Sequence, residues 1–237
     1  MARRAKNLNF TLVQAYAEQV PVLHTLIGDV VDSRSIHDRA AFQDHLATVL
    51  DEVGAVLRPA QPLEPTVGDE LQGAFTTVAD AVLASLLVRL ALLPTYDVRC
   101  GLGHGEVTVH GRRRPLLQDG PGWWTARDAL DVLGRPRRAA QRTWFVGPDQ
   151  GRVNAFLLTR DALVDRLGPR GRRLLAAAVT GASQVEIAAT EGISRSAVSQ
   201  QFARGVGALR DAHQSFAADD TGRADETETD DEEGGPA

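Results

Sequence analysis

The sequence predicts an α/β sandwich followed by a small all-helical module. Short β-rich runs alternate with helical runs from residue 22 to about 150, two of those runs turn on Gly68-Asp69, and the β signal vanishes afterwards. The order is β, α, β, β, α, β, α, β, and interleaved strands with one hairpin suggest helices on one face of a mixed sheet.

"VLHTLIGDVV" opens the ordered part as a β-rich strand. Residues 38–57 place Phe42, Leu46, Val49, Leu50, Val53 and Leu57 at helical spacing. "RPAQPLEP" breaks that helix, and "TVGDELQGAF" reads as two strands around Gly68-Asp69. A mostly apolar helix, "TTVADAVLASLLVRLALL", stops at Pro94. "YDVRCGLGHGEVTVH" is a strand with three glycines, "GPGWWTARDALDVL" opens as a helix after a Gly-Pro turn, and "RTWFVG" is the last strand. Residues 22–150 thus form one unit and residues 151–214 a separate helical one, flanked by a mobile basic segment at 1–21 and a tail at 215–237.

An apolar fraction of 43% and no run of about 18–20 apolar residues exclude a membrane-spanning chain. One cysteine, Cys100, excludes an internal disulfide or a cysteine-rich zinc site, and without a signal-peptide pattern the expected location is cytoplasmic. The net charge of −5 is uneven: residues 215–237 hold nine acids and one arginine, −8, which leaves +3 for the rest. A like-charged block with so little apolar surface is expected to be disordered.

"SQVEIAAT" and "SRSAVSQQFARGVGAL" read as two helices around Gly192, with Val185, Ile187, Ala188, Ile193, Val198 and Phe202 as their seam. Ser194 is placed to cap the second helix. That leaves Ser194, Arg195, Ser196, Ser199, Gln200 and Arg204 as candidate DNA contacts: arginine can pair with guanine, glutamine with adenine, and serine with phosphate. The stretch "SQVEIAATEGISRSAVSQQF" resembles the helix-turn-helix of response-regulator and sigma-region-4 type DNA-binding domains. From Gly168 to Gln214 six arginines stand against three acids, a modest +3 that steers toward DNA without being diagnostic. On the helix-turn-helix pattern the expected partner is DNA, bound by a homodimer.

Asp29 sits inside the first apolar run, and Asp69 lies at the hairpin turn 40 residues later. One helix crossing back over the sheet would bring them to the same edge, where two carboxylates repel or recruit a cation such as Mg²⁺ with phosphates. The glycines of "RCGLGHGEV" are read as a close approach of backbone to a ligand, with Arg99 as an anion partner.

Taken together, "IGDVVDSR", "VGDELQGAF", "VRCGLGHGEV" and "GPGWWTARDAL" resemble the SatD family over about residues 22–214. Its N-terminal part looks like the palm-type domain of class III nucleotide cyclases and diguanylate cyclases. The resemblance implies an α+β palm or ferredoxin-like sandwich. It also implies Asp29 and Asp69 as ligands for Mg or Mn with a nucleotide, and the backbone from Val30 to Ser33 facing phosphates, joined by Asp32, Ser33, Arg34 and Arg99. Cyclases carry a base-reading lysine where this chain has Glu64-Pro65, and an asparagine and an arginine where it has Thr125 and Arg127 out of register. The expected function is therefore a DNA-binding regulator with a nucleotide- or metal-sensing domain. The alternative is a Mg-dependent nucleotidyl cyclase or nucleoside triphosphate hydrolase using Asp29 and Asp69.

Overall fold

The computed structural model describes residues 20–111 and 117–232, with side chains as far as residue 220. The segment expected to be mobile at 1–21 lies outside the described residues apart from Val20 and Pro21. The strand and helix order matches the sequence reading. Strand β1 (Val22–Val30) leads to α1 (Arg39–Leu57), the hairpin β2 (Gln61–Pro65) and β3 (Glu70–Phe75), α2 (Val78–Leu92) and β4 (Val98–Glu106). A two-stranded ribbon, β5 (Thr108–Val109) and β6 (Gln118–Asp119), precedes α3 (Pro121–Leu133) and β7 (Thr143–Val146). The main sheet runs β2-β3-β1-β4-β7, antiparallel except for the parallel pair β4–β7.

Local chemistry sets the helix starts. The Asp38 carboxylate accepts from Ala41 N at 3.0 Å to open α1, and Thr77 Oγ1 accepts from Asp80 N at 3.1 Å to open α2, each satisfying a donor that the helix itself leaves unpaired. Phe42, Leu46, Val49, Leu50 and Val53 of α1 pack with Leu26, Val30, Leu71, Phe75 and Leu102 in the main core. Burying a side chain of this size contributes roughly 1.5–3 kcal/mol.

The helices do not all lie on one face, as the sequence suggested. Helix α3 covers the opposite side, where Leu23, Ile27 and Ala74 meet Trp123, Ala126 and Leu130. The glycines of β4 explain this: a Cβ on Gly101 would sit 2.2 Å from Ala126 O, and one on Gly103 would sit 2.3 Å from Ala126 N. The backbone that approaches Gly101 and Gly103 belongs to α3 rather than to a ligand. Thr125 Oγ1 pins the helix there, accepting from His104 N at 3.0 Å and donating to His104 O at 3.1 Å. His104 of β4 lies against His24 of β1 with ring centroids 4.6 Å apart.

The expected boundary at residue 150 is also displaced. Helix α4 (Gln150–Arg166) buries Val153 and Leu157 in the main core, and Asn154 bonds the backbone of Phe145 in both directions at 2.8 Å. Helices α5 (Pro169–Val179), α6 (Gln184–Glu191), α7 (Arg195–Gln201) and α8 (Gly207–Glu232) follow. Their core includes Leu86 and Leu90 of α2, so the helical module and the sandwich share one helix. A nearly all-apolar α2 is what such double coverage requires.

The helix expected to run from Ser194 to Leu209 breaks over Phe202–Val206, where Gly205 has φ 131°, a conformation open to glycine and strained for other residues. The tail expected to be disordered from residue 215 is helical in α8 to Glu232. Phe216 is buried in the main core, Arg152 pairs with Asp219 at 2.5 Å, and Asp220 accepts from Ala79 N at 3.0 Å. An aromatic anchor and a carboxylate at the N-terminus of α2 hold the start of this segment. No described helix is long and apolar enough to cross a membrane.

Candidate functional site

Strand register creates the site. Asp29, near the end of β1, lies directly opposite Glu70 on β3 and Arg99 on β4. Side chains opposed in an antiparallel pair lie close enough to interact, so Asp29 and Arg99 form an ion pair. Glu70 is taken by Arg127 of α3, which forms a two-pronged pair with both oxygens at 2.8 Å. The hairpin turn brings Asp69 against Asp29, and the Gln43 amide of α1 donates to Gly68 O beside it.

Asp29, Asp32, Arg34, Arg39, Asp69 and Arg99 surround a cleft of ≈ 750 Å³. The Asp29 carboxyl titrates above its ordinary value. Burial is the largest cause, the hydrogen bond and charge of Arg99 pull the other way, and the charge and contact of Asp69 push it up again. The two aspartates meet as the sequence suggested, but Arg99 supplies a positive partner that was expected to contact an anion.

Other expected phosphate contacts are placed differently. Val30 N donates to Asp69 O at 3.3 Å and Val31 N to Asp97 O at 2.9 Å, so neither amide points to a ligand. These residues still lie within the sheet margin, where backbone donors take the nearest carbonyls. Ser33 is buried at 9% exposure. Asp32 adopts the left-handed conformation at φ 53°, and its carbonyl accepts from Ser35 N at 2.9 Å and Ser35 Oγ at 2.7 Å. Arg34 is exposed at the cleft. Arg39, the first residue of α1, also lines the cleft; the sequence signal for it was its place just after the capping Asp38.

Asp29 and Asp69 suit a divalent cation held by two carboxylates and completed by phosphate or water oxygens, the usual manner for Mg²⁺. Such a cation has to compete with Arg99 for Asp29. Among the described residues no group of three or more His, Cys, Asp or Glu is placed to hold a metal. Glu64, standing where cyclases carry a lysine, is buried at 6% exposure and accepts from Gln72 Nε2 at 3.4 Å. Of the two tryptophans, Trp123 is in the core at 7% exposure, while Trp124 is 59% exposed and donates from Nε1 to Asp119 at 2.8 Å.

The model of the SatD family matches residues 23–139, from the start of β1 to just past α3. This segment is a SatD-family sequence. The SatD segment includes every side chain that lines the cleft and ends before β7 and the C-terminal helices. Two solved structures of a bacterial light-regulated adenylyl cyclase are similar to the chain. One has 13% identity and TM-score 0.41, covering 52% of this chain and 42% of its own; the other has 12% identity and TM-score 0.41, covering 53% and 76%. This chain therefore spans less than half of the first structure's length. No curated protein matches the chain.

On the helical side, Ser183 and Glu186 form a reciprocal capping box at the start of α6, and Gly192 ends it at φ 63°. Ser194 Oγ accepts from Ala197 N at 3.2 Å and contacts Ser196 Oγ at 2.9 Å, so its hydroxyl is committed to the cap of α7. Ile187, Ala188, Val198 and Phe202 are buried between the helices, whereas Val185, expected in that seam, is 50% exposed. Arg195, Ser196, Ser199, Gln200 and Arg204 are all exposed.

Proposed function

We propose that this chain is a DNA-binding regulator whose SatD segment binds a nucleotide, with or without a divalent cation, in the Asp29–Asp69 cleft. The observation that carries the reading is the two-sidedness of α7: Val198 is fully buried while Arg195, Ser196, Ser199 and Gln200 face solvent. A helix that only packs needs no such polar face. In a helix-turn-helix, the first helix braces the second, whose N-terminal side chains meet base edges in the major groove; here α6 and α7 take those parts. A homodimer would place two α7 helices on half-sites one turn apart.

A contiguous set of bonds links the cleft to the helices. Val31 is bonded to Asp97 O, and the Asp97 carboxylate pairs with Arg89 of α2 at 2.8 Å and with Arg142 at 2.7 Å. Arg89 reaches Asp165 of α4 at 2.5 Å. Burial pushes the Asp97 carboxyl up, but the two guanidiniums outweigh it and hold it below its ordinary value. A ligand that binds one arrangement of this network more tightly shifts the population of DNA-competent molecules, and no other mechanism is needed.

Selection of bound fragments from randomised duplexes tests the DNA reading. Arg195→Ala and Gln200→Ala are each expected to weaken the selected site about tenfold or more, the cost of a lost bidentate base contact of roughly 1–3 kcal/mol. An unenriched pool, or an enrichment these variants leave unchanged, overturns it.

The approach of Asp69 to Asp29 favours a second reading, a Mg-dependent nucleotidyl cyclase or nucleoside triphosphate hydrolase. Labelled nucleoside triphosphates with Mn²⁺ separate the two. For a sensor, Asp29→Asn and Asp69→Asn each lower nucleotide affinity about tenfold, near 1.4 kcal/mol, and no product forms. Product made by the wild type and lost in both variants establishes the enzyme instead.

A further inference from the structure

A second cleft, of ≈ 350 Å³, lies where the end of α4, the start of α5 and the end of α7 meet. Arg166, Arg170 and Arg204 line it with Gly168, Pro169 and Gln201, and no carboxylate does. All three arginines are exposed, and none has an ion pair or hydrogen bond with another described residue, although Arg170 lies near enough to Glu191 to add to Arg173 in holding that carboxyl below its ordinary value. Arg89, Arg99, Arg127, Arg142, Arg152, Arg160, Arg173 and Arg210 are each paired with an acid, whereas Arg34, Arg39, Arg58, Arg135, Arg137, Arg172 and Arg195 have no ion pair among the described residues. What sets Arg166, Arg170 and Arg204 apart is that they line one cleft together. Three like charges held around one cleft repel one another, and an anion at the centre relieves that repulsion.

The placement of each arginine is built into the backbone. Arg166 occupies the last turn of α4, and Leu167, buried at 8% exposure, fixes the link to α5. Gly168 starts α5 without a side-chain cap, and Pro169 follows at the first helical position, which leaves the next amides of the first turn to an outside acceptor. Arg204 comes from the other side, in the broken segment before Gly205 at φ 131°. Three separate elements thus turn cations and helix-end dipole toward one point.

We propose that the Arg166–Arg170–Arg204 cleft seats a backbone phosphate of duplex DNA lying against α7. The inference rests on the reading of α7 as the helix that faces DNA and extends it to residues outside the helix-turn-helix. No aromatic side chain lines the cleft to stack on a base, so its chemistry suits a phosphodiester and not a whole nucleotide. Arg204 continues from the exposed face of α7, so one strand could run from base contacts at Arg195 to a phosphate held here.

The test uses the full chain with fluorescent duplexes of unrelated sequence and of the selected site, titrated from 50 to 300 mM salt, comparing wild type with the double variant Arg166→Gln, Arg170→Gln. The melting temperature of the variant checks that it is folded. The expected result is a loss of affinity equal on all sequences and a salt slope smaller by about 1, the change for one phosphate contact removed. The proposal is overturned if the folded variant keeps the wild-type affinity and slope. It is also overturned if inorganic phosphate binds the wild type and not the variant while duplex binding is unchanged, because the anion is then a free one, or if the wild type binds no duplex. Loss of selectivity in the Arg195→Ala, Gln200→Ala protein with the double variant unaffected sinks this cleft alone. The reverse pattern sinks the base-reading role of α7 and leaves the cleft standing.

Discussion

Replacing Arg160 with alanine is expected to cost about 3–5 kcal/mol of unfolding free energy, enough to unfold a substantial part of a marginally stable protein. Arg160 is 1% exposed and lies inside the junction of three elements. Its guanidinium donates to Asp161 at 2.8 and 3.0 Å, to Val82 O at 2.9 Å and Ser85 Oγ at 3.0 Å on α2, and to Thr143 Oγ1 on β7 at 2.5 Å. Truncation leaves the Asp161 carboxylate, itself 3% exposed, without its cation. An uncompensated buried charge is the costly outcome, more so than loss of the pair as a whole. The double change Arg160→Met, Asp161→Leu is therefore expected to cost less than Arg160→Ala alone. Urea titration at neutral pH checks both, and a single variant within about 1 kcal/mol of wild type would show that the network contributes little.

Nothing in the local sequence distinguished Arg160 from a surface charge. In "TRDALVDR" the charges Arg160, Asp161, Asp165 and Arg166 flank an apolar Ala-Leu-Val, an ordinary helical pattern, and the burial of Arg160 follows only from α4 closing against both α2 and β7. The same limit applied to the boundary at residue 150: Val153 and Leu157 are helix-spaced, but the pattern says that they are buried and not against what. Elements whose evidence is local were legible, including α1 with its capping Asp38, the hairpin at Gly68 and the capped turn at Gly192. In the cleft, the meeting of Asp29 with Asp69 could be argued from one crossover helix. The pairing of Asp29 with Arg99 could not, because it depends on the register of strands 70 residues apart in sequence. The bonding of the Val30 and Val31 amides is hidden in the sequence for a related reason: their acceptors, Asp69 O and Asp97 O, belong to other strands' margins. Phe216 was hidden by the charge around it, since one aromatic in an acidic run carries no periodic signal.

Placing valine at position 101 is expected to displace α3 and to lower stability by about 3 kcal/mol, the upper end of the usual cost of overpacking. The new Cβ would fall 2.2 Å from Ala126 O and 2.5 Å from Leu130 N, and these are backbone atoms that no rotamer change can move aside. Two further methyl carbons deepen the overlap. Relief requires α3 to lift from β4, and α3 carries Arg127, whose pair with Glu70 holds the residue directly opposite Asp29. The same substitution is therefore expected to weaken the nucleotide binding proposed for the cleft, through residues that do not line it. Position 54 supplies the opposite sign: Gly54 lies in α1 with nothing within 4 Å of its virtual Cβ, so Gly54→Ala is expected to stabilise the protein by about 0.5–1 kcal/mol through helix propensity alone. Chemical denaturation of the two variants beside wild type separates close helix–sheet packing from a general intolerance of glycine replacement. If Gly101→Val is as stable as wild type, α3 does not sit on the β4 glycines in solution, and the position assigned to Arg127 falls with it.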